Sequence, residues 1–194
     1  MRIISGKNKA KRLNSPKTEL TRPTLDRVKE ALFSILEPNM KGSKILDLFS
    51  GTGNLGLEAI SRGADFAWLN DSNQVAISTI ISNTLLTNSK DYVKITKKDY
   101  RKCLNQIIKD EVTFDIIFLD PPYDSKFAIE TLNFISENKG KILNPGGIII
   151  YETDKNFFLK ISKTNDKALD SFENLEMIDN RSYGNVLIFM YKWR

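Results

Sequence analysis

Histidine is absent from this chain, and cysteine occurs once, at Cys103. The first absence rules out a Ser-His-Asp triad and any histidine general base. With no histidine and a single thiol, the usual tetrahedral zinc ligands are missing, so no metal is expected. One cysteine forms no internal disulfide, which points to a reducing, cytoplasmic setting. Long apolar runs are missing too: none approaches the roughly 18 residues of a membrane span. The opening Met1-Arg2-Ile3-Ile4-Ser5-Gly6-Lys7 lacks the apolar stretch of a signal peptide, so no membrane partner is expected. Core formers are plentiful, with 41% hydrophobic against 27% charged residues among 194. That balance favours a packed core, and the length suits one domain with a small appendage. No internal repeat or low-complexity segment interrupts it.

Acidic residues are scarce at one end. Residues 1–22 hold seven basic side chains (Arg2, Lys7, Lys9, Lys11, Arg12, Lys17, Arg22) and one acid, Glu19. Their net charge is +6; the chain as a whole carries +5, so residues 23–194 carry −1. A basic arm on a near-neutral body suits phosphate binding. Ile3, Ile4 and Leu13 alternate there with glycine and lysine, so residues 1–21 read as a basic β-hairpin arm preceding the main domain at 22–194. Arg2, Lys7, Lys9, Lys11, Arg12 and Arg22, with Arg27 on the following helix, are the candidate nucleic-acid contacts. Lys29 stands in reserve on that helix.

The body alternates strands and helices. Thr24 is placed to cap a helix in which Val28, Ala31, Leu32, Ile35 and Leu36 recur at helical spacing, stopped by Pro38 and Gly42. Then follow strand Lys44–Phe49, helix Leu55–Arg62, strand Phe66–Asn70, helix Gln74–Leu86, strand Tyr92–Thr96 and helix Tyr100–Lys109. Strand Phe114–Leu119, helix Lys126–Asn138, strand Ile148–Glu152 (opened by Pro145-Gly146-Gly147) and helix Lys155–Ile161 continue the pattern. The chain closes on strands Leu175–Ser182 and Val186–Trp193; the polar stretch Lys163–Asn174 is unassigned. Such alternation predicts a doubly wound, mostly parallel seven-stranded sheet with helices on both faces. Tyr183-Gly184-Asn185 is too short for a parallel crossover, so the last strand is expected to run antiparallel.

Gly51, Gly53 and Gly56 have the G-x-G-x-x-G spacing that follows the first strand of a dinucleotide-binding unit. Alone, that match leaves a nicotinamide cofactor open. The acids decide. Asp47, Asp71, Asp99 and Asp120 sit near the ends of four successive strands, which in an open α/β sheet line one crevice. Four carboxylates repel a pyrophosphate but suit a phosphate-free adenosine bearing cationic groups. S-adenosylmethionine has both a sulfonium and an α-ammonium. Asp71 is placed for the ribose hydroxyls, Asp99 and Tyr100 for the adenine, and Asp47 for the methionine end. Phe49, Asn54 and Ser72 complete the candidate cofactor set.

Asp120-Pro121-Pro122-Tyr123 follows the strand Phe114–Leu119. Two prolines fix two φ angles and hold the residues before them out of helical space. The corner presents a carboxylate, carbonyl oxygens and an aromatic ring, which together can grip a planar amino-bearing base. Asp120 and Pro121 would accept the N–H bonds, and Tyr123 would stack on the ring. A base taken there must first be unstacked.

These residues resemble those of class I S-adenosylmethionine-dependent methyltransferases, and the Asp-Pro-Pro-Tyr corner resembles that of enzymes acting on exocyclic or amide nitrogens. Arg2-Ile3-Ile4-Ser5-Gly6, Arg22–Phe33 and Leu55–Ala64 narrow the resemblance to the bacterial RsmD-type family. The resemblance implies a Rossmann-like methyltransferase fold and methylation of the N2 amine of one guanine in small-subunit ribosomal RNA. The implied substrate is the RNA or its particle, bound by a monomer. Where the family often has Val-Glu, this chain has Asn70-Asp71. The rival readings are a DNA adenine-N6 methyltransferase, disfavoured because no room remains for a large target-recognition domain, and a non-catalytic RNA-binding module. S-adenosylmethionine binding separates the second from an enzyme.

Overall fold

The computed structural model describes residues 1–15, 23–122, 126–164 and 172–194. Its elements are α1 (Pro23–Leu36), β1 (Lys44–Asp47), α2 (Asn54–Ser61), β2 (Phe66–Asp71), α3 (Gln74–Leu86), β3 (Val93–Lys97), α4 (Tyr100–Lys109), β4 (Phe114–Leu119), α5 (Phe127–Glu137), β5 (Leu143–Asp154), α6 (Lys155–Thr164), β6 (Leu175–Tyr183) and β7 (Val186–Trp193). The strands form a seven-stranded sheet in the order β3-β2-β1-β4-β5-β7-β6. Two compact units divide the chain, residues 1–103 and 104–194.

In the first unit β1 pairs with β2 and β2 with β3, all parallel. A parallel strand covered on both faces reads as an apolar run rather than an alternation. Ile45 and Leu46 on β1 and Ala67, Trp68 and Leu69 on β2 are accordingly all buried. The N-terminal residues fold back on themselves: Arg2 bridges Arg12 antiparallel, and the Ile3 N–H donates to the Lys11 carbonyl at 2.9 Å. Ile3 and Leu13 are buried from this hairpin, so it packs against the unit instead of trailing as a tail. Gly6, at φ +80°, lies so close to α2 that an added Cβ would fall 1.7 Å from the Ser61 carbonyl oxygen. No other residue fits that approach.

In the second unit β4 and β5 are parallel, while β7 runs antiparallel to both β5 and β6. β6 and β7 are joined through Gly184 at φ +61°, the short connection that forces the reversal. β7, flanked on both sides, buries Ile188 to Tyr191; β6 has a partner on one side only and is largely open to solvent.

Several boundaries differ from the sequence expectation. β1 stops at Asp47, two residues early, because Ser50 already turns to bond the Asn70 carbonyl. β3 is shifted one residue, with a short 3-10 turn at Lys90–Tyr92 before it. β5 begins at Leu143, so Pro145-Gly146-Gly147 lies inside the strand instead of before it. The ladder explains this: Phe114 pairs with Leu143 but Ile116 with Ile148, and the shift absorbs the turn residues. α6 extends to Thr164. Helices Gln74–Leu86 and Tyr100–Lys109 and strands Phe114–Leu119 and Val186–Trp193 have the expected ends. Arg22, Lys17, Glu19, Tyr123 and the side chain of Thr24 lie outside the described residues.

Candidate active site

The glycine turn of the first unit is held by two carboxylates. Asp47, fully buried at the end of β1, accepts the Gly56 N–H on Oδ2 at 3.1 Å. Asp71, half-buried at the end of β2, accepts the Gly51 N–H on Oδ2 at 2.9 Å and the Asn73 N–H on Oδ1 at 2.8 Å. Each Asp71 oxygen keeps a second lone pair for another donor. Gly51 has φ +55°, and a Cβ built there would meet nothing within 4 Å, so the turn borders open space. Gly56 differs: its Cβ would meet Leu69 Cδ2 at 2.2 Å, and its bareness serves helix–strand packing.

The remaining cofactor candidates are spread around this turn. Asp99 is exposed and accepts the Arg101 N–H at 3.0 Å, a local turn that leads into α4. Tyr100 is buried, with its ring 5.8 Å from that of Phe49 and its hydroxyl accepting from Arg101 Nε at 2.8 Å. Ser72 is exposed. Asn54, the first residue of α2, accepts on Oδ1 from Lys29 Nζ at 2.8 Å.

Lys29 is therefore internal. It is buried, donating also to the Arg2 carbonyl at 2.6 Å and pairing with Glu58 Oε2 at 3.0 Å. It does not belong to a basic outer surface. Burial lowers its pKa from the ordinary lysine value, and the Glu58 charge opposes that shift. Glu58, buried on α2, further accepts the Ile4 and Ser5 N–H groups at 2.8 and 3.0 Å and Arg62 Nε at 2.8 Å. From the other side Asn83 of α3 accepts the Asn14 N–H at 2.7 Å and donates to the Thr52 carbonyl at 2.9 Å. Hairpin and glycine turn are thus tied to the same two helices.

Of the basic candidates, Arg2 pairs with Asp26 at 2.9 Å, Lys7 lies 4.1 Å from the centre of the Tyr92 ring, and Lys11 donates to the Leu86 carbonyl at 3.1 Å. Lys9, Arg12 and Arg27 are exposed.

In the second unit, β4 delivers Asp120 to its C-terminal end, half-buried, after four buried residues. Pro121 is buried and Pro122 exposed. Beside the corner, β5 carries Glu152, which the sequence reading passed over. Burial, and then the Asp120 charge, push its pKa well above the usual carboxylate range. Asn70 was also passed over: buried on β2, it donates to the Leu48 and Lys98 carbonyls at 3.1 and 3.0 Å and accepts from Thr96 Oγ1 at 2.8 Å. Glu58 carried a signal as one acid inside the apolar run Leu55–Ile60, whereas Asn70 and Glu152 only close apolar runs and are followed by further polar residues. Among the described residues, no group of three acidic or thiol side chains could hold a metal ion, and no helix is long and apolar enough to cross a membrane.

A mostly parallel seven-stranded sheet with β7 antiparallel, and a glycine turn after β1 braced by an acid after β2, defines a Rossmann-like methyltransferase fold. Sequence relationships narrow the class. The family described as Conserved hypothetical protein 95 matches residues 1–192. Ribosomal RNA small subunit methyltransferase D of Haemophilus influenzae is 31% identical over 193 residues, 99% of this chain and 93% of that protein. YlbH of Bacillus subtilis is 34% identical over 194 residues, the full length of both. The solved structure of yhhF from Escherichia coli superposes with a TM-score of 0.81 at 26% identity, covering 100% of this chain and 98% of that one. The chain belongs to the RsmD-type family of ribosomal RNA small subunit methyltransferases.

Proposed function

We propose that this chain is an S-adenosylmethionine-dependent ribosomal RNA methyltransferase that modifies the exocyclic N2 amine of one guanine, a guanine(966)-type site, in 16S ribosomal RNA. The observation that carries the reading is the Asp120-Pro121 corner at the end of β4, in a chain related along its whole length to a small-subunit methyltransferase. The glycine turn fits the cofactor: open space borders Gly51, and Asp71 retains acceptor capacity beside it. Asp71 would hold the ribose, with Asp99, Phe49 and Tyr100 near the adenine; Asp47 supports the turn through Gly56. When bound, S-adenosylmethionine supplies the methyl group from a sulfonium that leaves as a neutral thioether.

A guanine amine is a poor nucleophile because its lone pair is delocalised into the ring. The Asp120 carboxylate and the Pro121 carbonyl accept its two N–H bonds and so localise the lone pair on nitrogen. Alignment of this kind supplies much of the rate acceleration available to a bimolecular transfer. The nitrogen gains the methyl carbon and yields one proton to the Asp120 carboxylate. Asp120 also stabilises the positive charge that develops on nitrogen. Base stacking is the role we assign to Tyr123 from its place in the sequence after Pro122, and phosphate binding the role of the basic hairpin.

Mass-mapping of methyl groups on ribosomal RNA, from cells with and without this protein, tests the assignment. One guanine should lose a single methyl group when the protein is absent. An unchanged ribosomal RNA together with lost adenine methylation in DNA would instead favour the DNA enzyme.

A further inference from the structure

We propose that Glu152 is the positioning residue of the Asp120 corner: a buried acid group that faces the Asp120 carboxylate and fixes it for the incoming amine. The inference rests on the methyltransferase reading and deepens it. The geometry starts from the ladder. Phe118 pairs with Ile150 and Leu119 with Tyr151 in parallel register. The next residues along the two strands are Asp120 and Glu152. Pro121 keeps Asp120 extended, so the alternation of the strand carries through to it. Asp120 therefore shares a face with Phe118, and Glu152 the same face with Ile150.

The surroundings leave Glu152 little choice of state. Its exposure is 9%, and its partner across the ladder on β7 is the apolar Ile188. On β5 itself, Tyr151 lies on the opposite face. Asp154 is committed to α6, accepting the Asn156 and Phe157 N–H groups at 2.8 and 3.1 Å. Lys155, at the start of α6, is exposed. Among the described residues, the charged group acting on Glu152 is Asp120. Two adjacent carboxylates out of water do not both ionise readily; one keeps its proton. The more buried of the two is Glu152. The half-buried Asp120 then carries the single negative charge, with a neutral polar neighbour in place of a repelling one. A proton yielded by the amine enters a pair that already shares one, and returns to solvent through Asp120.

The test has two parts. The first is a 13C-detected titration of the Glu152 side-chain carboxyl in the free wild-type chain. The carboxyl should remain protonated at pH 7, where an ordinary glutamate with a pKa of about 4.3 is ionised. The second is single-turnover methyl transfer to 16S ribosomal RNA. Glu152→Ala should lower the transfer rate about ten- to hundredfold, the range expected for losing a buried polar contact, with KM for S-adenosylmethionine unchanged. Glu152→Gln, which keeps a neutral hydrogen-bonding group of the same shape, should restore most of the rate. A glutamine variant as slow as the alanine variant would overturn the proposal. So would a Glu152 that ionises in the ordinary range while the wild-type chain methylates RNA, and in that case the methyltransferase reading stands. A wild-type chain that transfers no methyl group overturns that reading, and this inference with it.

Discussion

Lys29 Nζ lies 3.0 Å from Glu58 Oε2, and the two side chains are 4% and 0% exposed. This ion pair joins α1 to α2 beneath the N-terminal hairpin. It is not isolated: the remaining donors of Lys29 reach the Arg2 carbonyl and Asn54, and the remaining acceptor sites of Glu58 take two backbone N–H groups and Arg62. A buried charge pair offsets its desolvation only when its other hydrogen-bonding capacity is filled, as it is here.

Breaking that pair should be costly. Lys29→Met leaves Glu58 buried beside Arg62 alone, and removing one partner of a buried pair costs about 3–5 kcal/mol. Urea unfolding should show the loss. A variant within 1 kcal/mol of wild type, on the scale set by exposed pairs, would mean that water reaches the network.

Asp71→Ala removes a charged acceptor and frees the Gly51 N–H. S-adenosylmethionine binding should weaken by about 1.5–3 kcal/mol, the worth of a hydrogen bond to a charged group. Calorimetry measures it directly. Equal affinity in the variant would remove Asp71 from the site.

Asp120→Ala should slow methyl transfer far more than it weakens cofactor binding, because its contact is made to the reacting amine. Tyr123→Ala should cost about 1–3 kcal/mol of base stacking, and Tyr123→Phe little. Single-turnover rates on ribosomal RNA test both; a near-normal Asp120→Ala rate would refute the proposed corner chemistry.

The basic hairpin divides by structure. Lys7 lies over the exposed Tyr92 ring and Lys11 donates to the Leu86 carbonyl, so both contact the protein's own surface; Lys9 and Arg12 are exposed. Lys9→Ala with Arg12→Ala should weaken RNA binding with unchanged stability and cofactor affinity. The log affinity–log salt slope should become shallower by about 1.4–1.8, or 0.7–0.9 per lost phosphate contact. An unchanged slope would place the RNA surface elsewhere.

Cys103 is buried, and burial pushes its pKa from 9.0 to about 11. Its folded-state pKa is raised, so the folded chain holds a proton that the unfolded chain loses between these values. The contribution, about 2–3 kcal/mol, is complete below pH 9 and lost as pH rises through 11. Wild-type stability should fall more steeply over that window than that of Cys103→Ala. Parallel pH profiles would refute the shift.

Local chemistry made much of the fold legible. α3 begins where Asn73 can accept the Val75 N–H at 2.7 Å, and β4 ends where prolines begin; both signals lie within a few residues of the boundary. The start of β5 was not legible, because turn residues inside a strand are tolerated only when the partner strand shifts register, and that partner lies some thirty residues earlier.

The candidate site divides in the same way. The spacing of Gly51, Gly53 and Gly56, the acids after successive strands and the Pro-Pro corner are properties of the chain read in order, since each depends on backbone geometry within a few residues. What the acids do depends on what is folded against them. Burial against α2 turns Asp47 toward the Gly56 N–H, while Asp71, half-exposed, keeps capacity for a further donor. Lys29, one of many lysines in the sequence, becomes an internal cation only because α2 supplies Glu58 and the hairpin covers both. Glu152 becomes a neighbour of Asp120 only through the β4–β5 register. The sequence determined the elements and the chemistry available at their ends. Tertiary structure decided which charges are desolvated and which meet, because burial and distance are set by residues far away in the chain.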